Sequence, residues 1–251
     1  MNLTTFFGRM HATDFVMFSL PHLTALALVA LACLLLFASR AALLSRPVLR
    51  DTVRFLLVIV LLASEGGLHL WYLSQDIWTI QHSLPLELCG ITLLLSAMML
   101  LTRSRLLYSF LYFAGIGGAF IALLTPNLVY PFPHFRFLLF FTAHGAIVLA
   151  SLFMTWAYGF RPGLRSLFFT MGCLNMIAAC VFAADKLLDT NYMFLAHKPD
   201  TLSVLDYFGP YPHYLLVEEI FAFVIFLLMY LIFFKLPGHF SSLRSRRSRN
   251  S

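Results

Sequence analysis

Residues 16–38 read VMFSLPHLTALALVALACLLLFA, twenty-three positions without one Asp, Glu, Lys or Arg. Coiled as a helix, about 20 such residues match the hydrocarbon thickness of a bilayer. Six more stretches of this kind follow, at Thr52–Leu73, Leu84–Leu101, Leu106–Leu124, Phe135–Tyr158, Leu167–Leu188 and Leu215–Leu236. Composition agrees: the 251 residues are 61% hydrophobic and 11% charged, with mean hydropathy +0.86. A soluble domain carries about 25% charged residues. The runs are too long for barrel strands, which alternate over about 10 residues, and backbone groups in hydrocarbon must pair within their own segment. The expected fold is therefore all-α, a polytopic bundle of seven transmembrane helices. Gly115, Gly117 and Gly118 either weaken the fourth helix or mark close packing.

Basic residues orient the bundle. One set of loops holds Arg40, Arg46, Arg50, Arg54, Arg103, Arg105, Arg161, Arg165, Lys235, Arg244, Arg246, Arg247 and Arg249; the other holds only Arg9, Arg136, Lys186 and Lys198. The rich side is expected in the cytoplasm, with the N-terminus outside. Residues 1–240 then form one transmembrane domain, and 241–251 a basic cytoplasmic tail attracted to anionic lipid headgroups. That tail explains the net charge of +6 without nucleic acid, which would need a folded soluble module. The first helix is too long for a signal-peptide core and lacks a basic N-terminal region, so retention is expected. All four cysteines, Cys33, Cys89, Cys173 and Cys180, fall inside predicted helices, which gives no disulfide framework.

Ionisable residues inside a span are expensive and point to function. Helix one carries His22. Helix two carries Glu65 and His69, one turn apart on one face, with Tyr72 continuing the stripe. Helix three carries Glu87 and Cys89, helix five His144 and helix six Asn175; Glu218 and Glu219 begin helix seven. Taken singly, each has a plainer explanation: an intramembrane His commonly bonds a neighbouring helix, and Cys is a small hydrophobe in cores. Their shared outer-half location favours a cavity open toward the outer leaflet. The long outer segment Asp189–Tyr214, rich in turn residues, reads as a lid or binding loop, or else as a passive surface loop.

Cys89 and His144 carry the sharpest chemistry. With Ser83 as cap and Pro85 in the first turn, Cys89 lies just past the first turn of helix three, where unpaired N–H groups favour a thiolate. Thr92 and Ser96 extend its face; His144, Ser151 and Thr155 form a comparable stripe on helix five. A thiol facing an imidazole suits nucleophilic catalysis, in which the His takes the thiol proton and the thiolate attacks an acyl carbonyl. Against the pairing stands a nominal difference in depth of about 7 Å, which an unwound start to helix three removes. Rival readings are a proton-coupled carrier using Glu65, His69, Glu218 and Glu219, and a metal or haem protein using His22, Glu65, His69 and His144.

Several runs carry a resemblance: Leu84-Pro85-Leu86-Glu87-Leu88-Cys89, Leu124-Thr125-Pro126-Asn127, Ala143-His144-Gly145, and Asn191-Tyr192-Met193 through Lys198-Pro199 to Gly209-Pro210-Tyr211-Pro212-His213-Tyr214. Together they resemble the YwaF-like integral membrane proteins, related to the transmembrane protein 164 acyltransferases and more distantly similar to the androgen-induced transmembrane hydrolases. The resemblance implies a multi-pass protein of the bacterial cytoplasmic membrane that moves acyl groups between phospholipid and lysophospholipid, with Cys89 as nucleophile, His144 as partner and no cofactor or metal. A lipid hydrolase on the same scaffold is the alternative. His22, Glu65, His69, Asn175, Tyr192, Lys198 and Tyr214 are the expected substrate-binding residues, with Tyr192, Lys198 and Tyr214 turned toward headgroups.

Overall fold

Every apolar stretch becomes a helix, and the departures from expectation lie at the ends. The computed structural model describes residues 6–9, 14–198 and 204–236. Its long helices are α1 (Leu20–Ala38), α2 (Pro47–Ser74), α3 (Leu88–Thr102), α4 (Arg105–Leu124), α5 (Phe135–Ala157), α6 (Leu164–Leu188) and α7 (His213–Tyr230), the last continued by a π turn over Leu231–Lys235. Short helices at Arg40–Ser45 and Ile80–Ser83 join them. Among the described residues there is no strand. Six of the long helices are long and apolar enough to cross a membrane; α3, with 15 residues, is shorter. The basic tail lies outside the described residues.

Proline sets two of the revised starts. α2 begins earlier than expected because Pro47, lacking an N–H, fits the first helical position. α3 begins later. Leu84 precedes Pro85, and a residue before proline is pushed out of the helical region; Leu84 is accordingly extended at φ −72 and ψ 145. Residues 84–87 turn instead, and Glu87 takes the N-cap position. Ser83 does not cap α3 as expected: its Oγ accepts from the Thr79 amide at 3.1 Å.

Helix α4 lies with α5 at the centre of the bundle. Close packing, not weakness, explains its glycines. A methyl added at Gly115 would lie 3.4 Å from Ile147 Cγ2 of α5, one at Gly118 3.5 Å from Leu88 Cδ2 of α3, and one at Gly117 2.8 Å from Phe226 Cε1 of α7. Three neighbours thus approach α4 along one turn, while Thr170 of α6 donates to the Ser109 carbonyl at 3.1 Å. α1 exposes most of its apolar side chains, and α7 fully buries only Tyr214 and Phe226, as helices on the rim of a bundle in lipid do.

The two ends of the bundle differ. At one, Arg50 and Arg103 lie 5.0 and 6.0 Å from the Tyr158 ring, Arg105 lies 5.0 Å from that of Phe160, and Asp51 accepts from Tyr158 while pairing with buried Arg54 at 3.3 Å. At the other, the N-terminal segment is strapped across the helix ends: Trp71 donates to the Phe7 carbonyl at 2.7 Å, and His134 Nε2 to that of Gly8 at 2.9 Å.

Candidate functional site

Cys89 is the second residue of α3, one turn earlier in its helix than expected. Counted from the opposite helix ends, the nominal mismatch in depth with His144 disappears. Cys89 and His144 each stand thirteen residues before the last residue of their helix, Thr102 and Ala157, or roughly 20 Å at 1.5 Å per residue. Those helix ends are neighbours, because Arg103 and Tyr158, the next residues, are in ring contact. The glycines of α4 give the same register independently. Leu88 packs at Gly118, and Ile147, one turn past His144, packs at Gly115, one turn from Gly118. Two contacts at different heights therefore put the thiol and the imidazole at about the same depth.

The His144 ring is 8% exposed, and its Nδ1 donates to the Phe140 carbonyl at 2.8 Å. A nitrogen facing a carbonyl must carry the proton, so the lone pair belongs to Nε2, which has no hydrogen-bond partner among the described residues. The Cys89 thiol is partly buried and free. Thiol and imidazole are not hydrogen-bonded to each other. Thr92 and Ser96 are buried, so the α3 stripe faces protein. The α5 stripe turns toward α4: Ser151 donates to the Leu111 carbonyl at 3.3 Å, and Thr155 bonds the Tyr108 hydroxyl at 2.9 Å.

The other polar residues separate into local pairs. His22 is fully buried; its Nδ1 accepts from the Phe18 amide and its Nε2 donates to the Leu123 carbonyl, both at 2.9 Å. His69 Nε2 bonds Glu65 at 3.2 Å, and Trp78 donates to His69 Nδ1 at 3.3 Å. Asn175 donates to Glu219 at 2.6 Å. Among the described residues no hydrogen bond joins one pair to another. Among the described residues, no group of three or more His, Cys, Asp or Glu could hold a metal ion.

After α6, two buried tyrosines, Tyr192 and Tyr214, face inward. The Tyr192 hydroxyl donates to the Ile80 carbonyl at 2.6 Å and accepts from the Leu84 amide at 2.9 Å. Burial pushes this hydroxyl above the ordinary phenol range, while the Leu84 amide pulls the other way. Tyr214 donates to the Phe194 carbonyl. Both hydroxyls bond backbone. Lys198 pairs with Asp206 at 3.9 Å and sits 5.7 Å from the Tyr214 ring.

Under these tyrosines lies Asp185, which sequence reasoning missed. It is 2% exposed, and its Oδ1 accepts from Thr190 Oγ1 at 2.6 Å and the Tyr192 amide at 2.9 Å. An Asp one turn from the end of an apolar helix, followed by Thr190 and Asn191, was the available signal.

Two cavities stand out. An apolar groove of about 630 Å³ runs between α1, α2 and α5, lined by residues such as Leu28, Leu57 and Phe141. A polar vestibule of about 620 Å³ lies between the start of α3, the end of α6 and the Asn191–His197 chain. Neither is lined by Cys89 or His144; the vestibule includes Glu87, two residues from Cys89.

A family model, the TMEM164 family, matches residues 17–230. The chain belongs to the TMEM164 family. The match takes in α1 to α7 and therefore both Cys89 and His144. With six helices of membrane-crossing length, this TMEM164 member is a multi-pass integral membrane protein. No curated protein and no solved structure matches the chain.

Proposed function

We propose that this TMEM164 family member is a membrane-embedded acyltransferase that moves a fatty acyl group between phospholipids through a thioester on Cys89. The observation that carries the reading is the common depth of Cys89 and His144. In the first half-reaction His144 Nε2 takes the thiol proton, and the sulfur attacks an acyl ester carbonyl. The ester C–O bond breaks, and the lysophospholipid oxygen leaves with the proton from His144. In the second, a lysophospholipid hydroxyl gives its proton to His144 and attacks the thioester, and the C–S bond breaks. Cys89 then recovers its proton. The first amides of α3 have no partner within the helix; they are the donors assigned to the oxyanion. Water in place of the hydroxyl acceptor gives the hydrolase alternative.

In this reading α3 also crosses the membrane, with the preceding turn completing its path, so the bundle has seven spans. The arginine-rich end faces the cytoplasm of a bacterial membrane, and the tail meets anionic headgroups there. His22 and the Glu65–His69 pair shape the site without covalent roles. Asn175, Tyr192, Lys198 and Tyr214 hold the outer chain and substrate in place.

The deciding experiment is mass spectrometry of purified protein after exposure to phospholipid. A hydroxylamine-sensitive acyl adduct on Cys89 is expected. Its absence from folded protein, or an adduct on another cysteine, overturns the mechanism; lipid transport that survives Cys89→Ala returns the carrier reading.

A further inference from the structure

The end of the bundle opposite the vestibule gathers positive charge in one place. Its loops, residues 39–54, 102–105 and 158–165, contain eight arginines, no lysine and one acid, Asp51. Orientation in a membrane needs only positive charge, which lysine supplies equally well. Arginine adds a planar fork of donors that matches the oxygens of a phosphate. Three of the eight converge. Arg50 and Arg103 lie 5.0 and 6.0 Å from the Tyr158 ring. The Tyr158 hydroxyl donates to Asp51 Oδ1 at 3.4 Å, and the same oxygen pairs with Arg54 at 3.3 Å. Asp51 thus neutralises one guanidinium of the three and leaves a surplus of two charges. The cluster is held by the fold. Arg54 is 5% exposed, and the Nε donors of Arg50 and Arg54 are buried with no hydrogen-bond partner among the described residues. Buried donors cost free energy unless an acceptor meets them. Arg103 is the left-handed C-cap of α3 at φ 55, where glycine or asparagine is the usual residue. An arginine there sacrifices stability at the helix end and sets its guanidinium beside Tyr158. A ring covers only a face of a guanidinium, so the N–H edges stay open to an anion.

We propose that Arg50, Arg54 and Arg103 bind a phosphate monoester at this end of the bundle. A monoester carries about 1.5 to 2 negative charges near pH 7, which matches the surplus, and it presents three acceptor oxygens to three guanidiniums. A phosphodiester brings one charge and two free oxygens, and leaves part of the surplus standing. Asp51 orients Arg54 within the cluster. The same group arrives on a lipid, as in phosphatidic acid, or on a soluble phosphate ester, and the arginines recognise the phosphate in both. The site stands apart from Cys89 and does not depend on the acyltransferase reading.

The test uses the full-length chain carrying Cys89→Ala, so that no turnover alters the lipids. In one arm, detergent-solubilised protein is equilibrated with equal amounts of phosphatidic acid and phosphatidylglycerol, and retained lipids are counted by native mass spectrometry. Both lipids are anionic, so a merely basic surface retains them alike. The site is expected to favour phosphatidic acid by about tenfold or more, the scale of one additional charge-assisted hydrogen bond. In the other arm, the same protein meets sn-glycerol 3-phosphate at millimolar concentration, first alone and then against bound phosphatidic acid. Retained phosphatidic acid that resists displacement supports the site with a lipid as the source. Bound glycerol phosphate that displaces the lipid supports it with a soluble ester. Equal retention of the two lipids together with no bound glycerol phosphate overturns the inference. Arg50→Gln and Arg103→Gln should each remove most of the selective binding. Arg165→Gln, at an exposed arginine of the same end outside the cluster, should leave it intact. Equal losses in Arg103→Gln and Arg165→Gln reduce the effect to general charge and sink the site. Arg54→Gln strands Asp51 and should also abolish selectivity. If that variant fails to fold, Arg103→Gln, at an exposed turn position, decides: lost selectivity in folded protein supports the site, and unchanged selectivity overturns it.

Discussion

The groove and the vestibule have nearly the same volume, about 630 and 620 Å³, and opposite construction. The groove is mostly the faces of three helices meeting imperfectly, with walls such as Leu28, Leu57 and Phe141. The vestibule is made largely of chain between helices, fixed by side chains that bond backbone: Tyr192 to residues 80 and 84, Tyr214 to Phe194, Asp185 to Tyr192. Helix packing alone makes space for apolar groups. Placing charge requires irregular chain whose own polar groups are satisfied first. Chemistry is therefore expected beneath the vestibule, and substitutions there should outweigh equal changes in the groove.

The largest effect tests that directly. Cys89→Ala should abolish acyl transfer and the adduct, while alanine at Cys33, Cys173 or Cys180 should leave both largely intact. His144→Ala should slow adduct formation by roughly 10²–10⁴-fold, the usual loss on removing a general base. Full activity in Cys89→Ala would make the thiol a packing residue and remove the reason to rank the vestibule above the groove.

Tyr192→Phe comes next. It leaves the Leu84 amide without its acceptor, a loss of about 1–3 kcal/mol readable in thermal unfolding. The sign of its pH dependence follows from the raised hydroxyl. The stabilisation is complete below the ordinary tyrosine value of about 10 and is lost as pH rises through the higher folded value. Wild type should thus lose its advantage over Tyr192→Phe only in strong alkali. An advantage that disappears near neutrality breaks the assignment.

Glu65→Gln should lower turnover several-fold and preserve the adduct, because Glu65 bonds His69 and not the proposed catalytic pair. A folded variant without adduct moves Glu65 into the chemistry. The smallest effect belongs to the groove. Thr24→Trp, which fills its wall, should change the adduct rate less than about twofold, within the range of surface substitutions. A tenfold fall would show that the groove holds the reacting chain and would invert the comparison.

How much of this was legible in the sequence depends on what each residue obeys. Helix positions follow from apolar length, which the bilayer enforces, so all seven stretches appear as helices. Ends were less legible because proline has two readings. Pro85 fits a first turn as well as a turn before a helix, and the choice was made by Tyr192, more than a hundred residues away, holding the Leu84 amide. The glycines of α4 were ambiguous for the same reason: close approach shows only when Leu88, Ile147 and Phe226 arrive. Polar residues in spans were easy to find and hard to group. Depth along a helix is one coordinate, whereas rotation about the axis sends His22 to Leu123 and Asn175 to Glu219. Tyr192 and Tyr214 were recognised as important, yet a tyrosine in a loop looks alike whether it holds backbone or meets a ligand.

The brevity of α3 has a consequence for the membrane itself. Fifteen residues span about 22 Å, against a hydrocarbon layer of about 30 Å. Where a helix is short, lipids thin locally to match it, and here the missing length is taken up by a turn and a carboxylate-lined hollow. If α3 spans the bilayer in the proposed orientation, the outer leaflet dips at this point, as over a shallow well. A phospholipid settling into the well carries its ester linkage below the plane of its neighbours, down to the level of the sulfur, without leaving the leaflet. On the acyltransferase reading proposed above, the protein need not extract its substrate; it lowers the floor on which the substrate stands.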